Sequence, residues 1–358
     1  MQRRKLIRTA FFQDFFYHTV QVFEHRFRPK RWKSFRLWAV DGTGLRLPDF
    51  DDIGEAFGWH DNQHSTVAST RWLLTFDVLN QLIVDVQLHG REQAEVTVAY
   101  PLIEELPQDV LAIYDRGYAS YAVAYLHLLY GSHCVIRLPK TFGPKITDFI
   151  QSNENERIIE ANLGDRSASA LRKMGFPIRR RQTFPLRLIR VDLPGGEVEI
   201  LLTTLLHRRY YHHRHFAELY HRRWGVETAF FVLKSYFQAA HFSSYTMPGV
   251  AQDIWSLFAL YNLQSILQLG HHKQLQRIKE RRRYTYQLNR NVGMGLIKRS
   301  LHILLSEERR WYARTKALLD ELYRHLEPVR PRPNRERNRR ILRGNDRHIY
   351  EHNYRSTM

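Results

Sequence analysis

The apolar positions of this chain fall into a small number of clear periods. Over residues 8–27, Phe12, Phe15, Phe16, Val20, Phe23 and Phe27 recur at helical spacing, which predicts an amphipathic helix with an aromatic inner face. Strand-type patterns follow over 36–47, 67–79 and 81–89, then a helical pattern over 91–106. A short continuous apolar run, Val110 to Tyr114, reads as a buried strand over 109–114. A helix over 118–131 and the strand HCVIRLP come next. From about 140 to 206 the text shifts to Gly, Pro and β-forming segments, with FPLRLIRVDL and GGEVEILLTTLL separated by a Gly-Gly turn. Helices are expected again over 213–239, 247–269 and 294–325.

Three acidic positions do not fit a simple inside–outside scheme. Glu227 lies in YHRRWGVETAFFVLKS; on a regular helix, Tyr220, Arg223, Glu227 and Lys234 share a stripe about 60° wide. Leu219, Val226, Phe230, Leu233 and Phe237 fill the adjacent arc, so the stripe borders the buried face and Trp224 is expected to pack in the core. An exposed ladder of i,i+4 ion pairs competes with this assignment. Asp41 sits midway along FRLWAVDGTGLRLPD, where a carboxylate is costly unless paired or metal-bound. A hairpin at Asp41-Gly42 competes, but Leu45, Arg46 and Leu47 carry the strand pattern onward. Asp115 ends the apolar run DVLAIYDRGYAS at a strand-to-helix turn, where α/β sheets place ligands, and it can also cap the following helix.

Charge narrows the class of partner. Lys and Arg number 55 against 36 Asp and Glu, a formal net charge of +19, which a fold does not require and a polyanion does. Basic residues cluster in 1–36 (ten against two acids), 271–300 (nine against one) and 330–347 (eight against two). Such runs are usually solvated, although RRRYTYQLNR interleaves Tyr and Arg as contact with phosphates and bases would need. HRRYYHHRH (207–215) fits a loop facing DNA or solvent better than a metal site. The 43% hydrophobic content excludes a disordered polymer, and Cys134, the single cysteine, excludes an internal disulfide framework. Asp14 and His18 interrupt any signal-peptide core, and DIWSLFALYNLQSILQLG is too short and polar to span a bilayer.

D-G-T after one apolar strand, D-R-G-Y after another, and Y-x2-R-x3-E-x6-K on a later helix together resemble the DDE transposases of bacterial insertion sequences. The likeness is to the insertion sequence 4 branch with its Tyr-Arg-Glu-Lys signature, and it runs over roughly residues 30–340. It implies an α/β fold: a ribonuclease-H-like catalytic domain of βββαβαβ order, interrupted by a β-rich insertion, with helical N- and C-terminal segments. The expected parts are a basic aromatic N-terminal helix (1–35), the first part of the core (36–139) and the insertion (140–206). The second part of the core carries the Glu helix (207–270), and a basic helical C-terminal region follows (271–358).

By that resemblance Asp41, Asp115 and Glu227 hold two Mg²⁺ ions, with Mn²⁺ as substitute, and cut DNA at the element's ends before joining the 3′-hydroxyl to a target. Tyr220, Arg223 and Lys234, together with Arg116 of D-R-G-Y, would grip phosphates. The expected partners are transposon-end and target DNA and, on DNA, a second copy of the chain; no membrane is expected, and the place is the bacterial cytoplasm at the nucleoid. Only 40 residues precede Asp41, where the family has a longer end-binding region. A truncated, catalytically silent DNA-binding remnant acting as inhibitor is therefore one alternative, and a metal-dependent nuclease without strand transfer another. Some relatives stack a flipped base on a Trp of the insertion; residues 140–206 hold no Trp, leaving Phe142, Phe149, Phe176 and Phe184 as aromatic substitutes.

Overall fold

The computed structural model describes residues 6–61, 66–90, 92–179, 182–270, 285–304 and 311–329. Its contacts divide the chain into two units. One comprises Pro29–Gly44 and Thr70–Thr228, the other Met1–Arg28, Leu45–Ser69 and Ala229–Met358.

The first unit is built on a mixed sheet. Its strands are β1 (Arg36–Arg46), β3 (Thr66–Asp77), β4 (Leu82–His89), β5 (Val110–Tyr114), β6 (His133–Leu138), β7 (Glu156–Asn162), β8 (Thr183–Asp192) and β9 (Val198–Thr203). They lie in the order β4-β3-β1-β5-β6-β9-β8-β7. β1, β5 and β6 run parallel, and β9, β8 and β7 continue antiparallel from β6. The expected β-rich segment thus extends the same sheet. All five residues of β5 are buried, as are Arg36–Val40 of β1. Continuous apolar sequence without alternation belongs to such central parallel strands, which are covered on both faces.

The helices of this unit include α3 (Glu95–Glu104) and α4 (Tyr121–Tyr130). Ser120 caps α4 by accepting from the Ala122 N–H, and Gly131 closes it at φ +78°, a left-handed position that Gly adopts without a Cβ penalty. Two further helices, α5 (Pro144–Gln151) and α6 (Asp165–Lys173), accompany β7–β9. Arg187 of β8 is fully buried, which nothing in FPLRLIRVDL announces. Its guanidinium donates to the Glu156 carboxylate and to the backbone oxygens of Leu205 (3.3 Å) and Tyr211 (2.7 Å). Of the aromatic candidates in this stretch, Phe149, Phe176 and Phe184 are core residues, and only Phe142 is half-buried.

Behind Asp115 lies a buried polar chain. The Tyr114 hydroxyl meets His127 Nε2 at 2.9 Å, and His127 Nδ1 meets the Ser132 hydroxyl at 2.7 Å. Burial, with a smaller contribution from His133, pushes the His127 pKa down to about 3 from 6.5, so the folded chain holds a neutral ring. Below about pH 6.5 the unfolded chain takes a proton that the folded chain refuses, and stability falls as pH falls. Between pH 7 and 5 this single site should remove about 2 kcal/mol. Urea unfolding should show that loss in the parent chain and not in His127→Asn. Equal pH dependence in the two would show that His127 is not held neutral.

The second unit is mainly helical. α1 (Thr9–Arg26) packs on α9 (Met247–Gly270) through aromatic contacts, with Phe16 5.7 Å from Trp255 and 6.1 Å from Phe258 between ring centroids. Of the six inward residues expected on α1, Phe16 and Phe23 are fully buried and the rest half-buried. The unit also holds α2 (Asp51–Phe57) and β2 (Trp59–Asp61), which pairs with Thr66, Val67 and Ala68 of the same unit. Further on are α10 (Arg290–Leu304), α11 (Trp311–Arg324) and the ribbon of β10 (Thr285–Leu288) with β11 (Leu326–Val329). The basic stretches 271–284 and 330–358, including the first four residues of RRRYTYQLNR, lie outside the described residues. Among the described residues no helix is long and apolar enough to cross a membrane.

Candidate active site

Asp41 and Asp115 are brought side by side by strand register. β1 pairs with β5 in parallel, and the last matched positions are Val40 and Tyr114. One residue further on each strand comes an Asp, so the two carboxylates leave neighbouring strands about 4.8 Å apart at the same level. The hairpin alternative at Asp41-Gly42 does not occur, because β1 runs on to Arg46. Asp115 also performs the capping role open to it: its side chain accepts from the Gly117 N–H at 2.7 Å and starts the 3₁₀ turn Arg116–Tyr118. Arg116 is exposed on that turn.

Glu227 arrives from the other end of the unit's sequence. Arg223 Nη1 lies 3.2 Å from Asp41 Oδ2, and its Nη2 lies 2.5 Å from Glu227 Oε1. One guanidinium, 7% exposed, therefore joins carboxylates from β1 and from α8 (Trp224–Phe231). Burial pushes the Asp41 carboxyl up to about 7; Arg223 opposes this, while Asp115 and Glu95 add to it. Burial outweighs the ion pair here, since a single cation shared between two carboxylates compensates each only in part.

The helix expected over 213–239 is not continuous. α7 (Phe216–His221) ends in i→i+3 hydrogen bonds from Arg223, Gly225 and Val226, and α8 restarts beyond them. After α8 the chain makes a π turn over Val232–Tyr236, marked by the Phe237 N–H to Val232 O bond of 2.9 Å. A uniform 100° step therefore fails over Tyr220–Val226 and again at Val232–Tyr236. Lys234 is exposed on the π turn and belongs to the other unit. Trp224, expected in the core, is instead 52% exposed, with the Arg223 guanidinium 5.6 Å from its ring centroid. The tight turn before it rotates it outward.

Tyr220 is buried, and its hydroxyl has no hydrogen-bond partner among the described residues. Burial pushes its pKa up to about 12, against the nearby Arg223 and Arg137. Arg137 stands on β6 one step past the Tyr114–Ile136 match, hence beside Asp115, and pairs with Glu199 at 3.0 Å. Glu95 is a fourth carboxylate of the neighbourhood. It opens α3, pairs with Arg71 at 3.2 Å and accepts from the Tyr118 hydroxyl at 3.1 Å. Both residues escaped the sequence pattern, since neither sits in a motif and each joins the site through a neighbouring element.

Among the described residues no group of three or more His, Cys, Asp and Glu is gathered to hold a metal ion, the His-rich loop 207–215 included. The donor chemistry at Asp41, Asp115 and Glu227 nevertheless suits a hard divalent ion. All three offer oxygen, and Asp41 is a buried anion crowded by like charge that a dication would relieve.

Comparison with known proteins finds transposases. The transposase InsG of insertion sequence element IS4 from Escherichia coli (strain K12) is 20% identical over 267 residues, which cover 74% of this chain and 59% of that protein. Among solved structures, the cryo-EM structure of the piggyBac transposase synaptic complex with hairpin DNA aligns at TM-score 0.41 and 12% identity, over 83% of this chain and 59% of that one. The chain thus spans about three-fifths of the length of these relatives. The family model described as "Transposase DDE domain" matches residues 32–263 and takes in Asp41, Asp115, Arg223 and Glu227. With more than half of its residues inside that match, the chain belongs to the DDE transposase family.

Proposed function

We propose that this chain is a metal-dependent transposase that cuts DNA at the ends of an insertion sequence and joins the freed 3′-hydroxyl to target DNA. The observation that carries the proposal is the Arg223 bridge, which ties Asp41 to Glu227 across the 182 positions between Asp41 and Arg223, beside the strand β5 that Asp115 directly follows. Asp41, Asp115 and Glu227 are the residues that would hold two Mg²⁺ ions, with Mn²⁺ as substitute. When bound, such ions supply Lewis acidity for the attacking and leaving oxygens of an in-line displacement. The order of β1, β3, β4, α3, β5, α4 and β6 supports reading the first unit as ribonuclease-H-like.

The chain's own groups then have separate tasks. Arg223 presents a planar fork suited to a phosphate and exchanges its carboxylates for that phosphate when DNA enters. Tyr220 brings to the same place a hydroxyl with no partner among the described residues, while Arg116 and Lys234 are exposed cations for the flanking backbone. The partners are DNA and, on DNA, a second copy of the chain; the setting is the bacterial cytoplasm at the nucleoid.

Incubating the purified chain with Mg²⁺ and a plasmid carrying the ends of its own element tests this directly. Nicked ends and joined products are expected. Nicks without joints would mark a nuclease. DNA binding with neither product, in Mg²⁺ or Mn²⁺, would mark a binding remnant and overturn the proposal.

A further inference from the structure

Glu95 touches every part of the frame on which Asp41 and Asp115 are mounted. Its carboxylate fills the space beside Gly42, the residue after Asp41: a Cβ built there would stand 2.5 Å from Glu95 Cδ and 2.7 Å from each oxygen. Any side chain at position 42 would have to push that carboxylate aside, out of its contacts with Tyr118 and Arg71. One oxygen accepts from the Tyr118 hydroxyl at 3.1 Å, and Tyr118 closes the turn that Asp115 opens. The other oxygen pairs with Arg71 of β3 at 3.2 Å, and Arg71 in turn donates to the Gln93 backbone oxygen just before α3. An acid in the first turn of a helix is favoured by the helix dipole wherever the helix lies. That preference does not explain three further engagements with β1, β3 and the 3₁₀ turn.

We infer that Glu95 is a positioning residue, the shared strut that fixes the separation of Asp41 and Asp115 and so sets how well a divalent ion can bind between them. The inference rests on the metal-dependent function proposed above. Tyr118 carries the constraint to Asp115 and Gly42 carries it to Asp41, because the two are joined to those carboxylates through one short turn and one peptide. Hydrogen-bonded groups behind metal ligands hold ligand geometry in this way, and their loss costs about 10- to 100-fold in metal affinity.

Mn²⁺ titration of the DNA-free chain, followed by electron paramagnetic resonance, reads the effect without relying on activity. Glu95→Ala should bind Mn²⁺ about 10- to 100-fold more weakly than the parent. Glu95→Gln keeps an acceptor for Tyr118 and gives up only a part-exposed ion pair, so it should stay within about fivefold of the parent. Tyr118→Phe, which removes one hydroxyl and leaves the ring, should fall between the two. Gly42→Ala should weaken binding in the parent background and do much less on top of Glu95→Ala, where the clash is gone. Should Glu95→Ala misfold, Tyr118→Phe and Gly42→Ala still decide the matter. Unchanged Mn²⁺ affinity in all the variants, with only the thermal midpoint lowered, would make Glu95 a purely structural residue and overturn the inference. A parent chain that binds no Mn²⁺ at all would instead overturn the metal assignment, and this inference with it.

Discussion

Asp41→Ala, Asp115→Ala and Glu227→Ala should each lower Mg²⁺-dependent cleavage by about a hundredfold to ten-thousandfold. That range follows from the several kcal/mol that a metal Lewis acid contributes to such a displacement, at about 1.4 kcal/mol per tenfold. Folding should survive each change, since Arg223 keeps one carboxylate partner when either Asp41 or Glu227 is removed. Band-shift affinity for DNA should be equal or higher, because removing an acid from the site relieves repulsion with phosphate. Cleavage of an end-bearing substrate, followed beside circular dichroism and band shift, separates these effects. A triple variant that cleaved as well as the parent would sink the assignment of all three.

Arg223→Ala should move two measurements in opposite directions. The guanidinium now lies between Asp41 and Glu227, the seat a divalent ion would share, so its removal should strengthen Mn²⁺ binding to the DNA-free chain by about fivefold or more. Strand transfer should fall by about a hundredfold, the usual cost of misplacing a reacting group by about 1 Å. DNA affinity should stay within about tenfold, since one phosphate contact among many is lost and the salt slope drops by about one unit. Lys234→Ala should likewise keep DNA affinity within about tenfold and lose most strand transfer. Weaker Mn²⁺ binding together with unimpaired joining in Arg223→Ala would refute the double role.

Three features of the site were legible in the chain because they depend on local order alone. A run of five apolar residues ending in Asp, as in Val110–Tyr114-Asp115, has to be a buried strand delivering a carboxylate to its end. The strand around Asp41 could likewise be told from a hairpin, because the apolar pattern resumes after Gly44. The Arg223–Glu227 pair was legible for the same reason, as it needs only one turn of helix. Extending the same rotation to Lys234 and Trp224 failed. The i→i+3 bonds before Trp224 and the π turn at Lys234 are choices between nearly equal backbone hydrogen-bond patterns, and packing settles them.

The sequence by itself therefore determined which residue types stand at the ends of which strands and helices, since hydrophobic period and strand length are local properties. Only the tertiary structure decided that Arg223 serves two carboxylates, that Glu95 stands against Gly42, and that Arg187 is buried beneath the loop after β9. Each of these is a contact between elements far apart in the chain, and its strength depends on burial. A charged group in water prefers no particular partner, whereas one withdrawn from water must find one, and which groups are withdrawn is known only once the layers have packed.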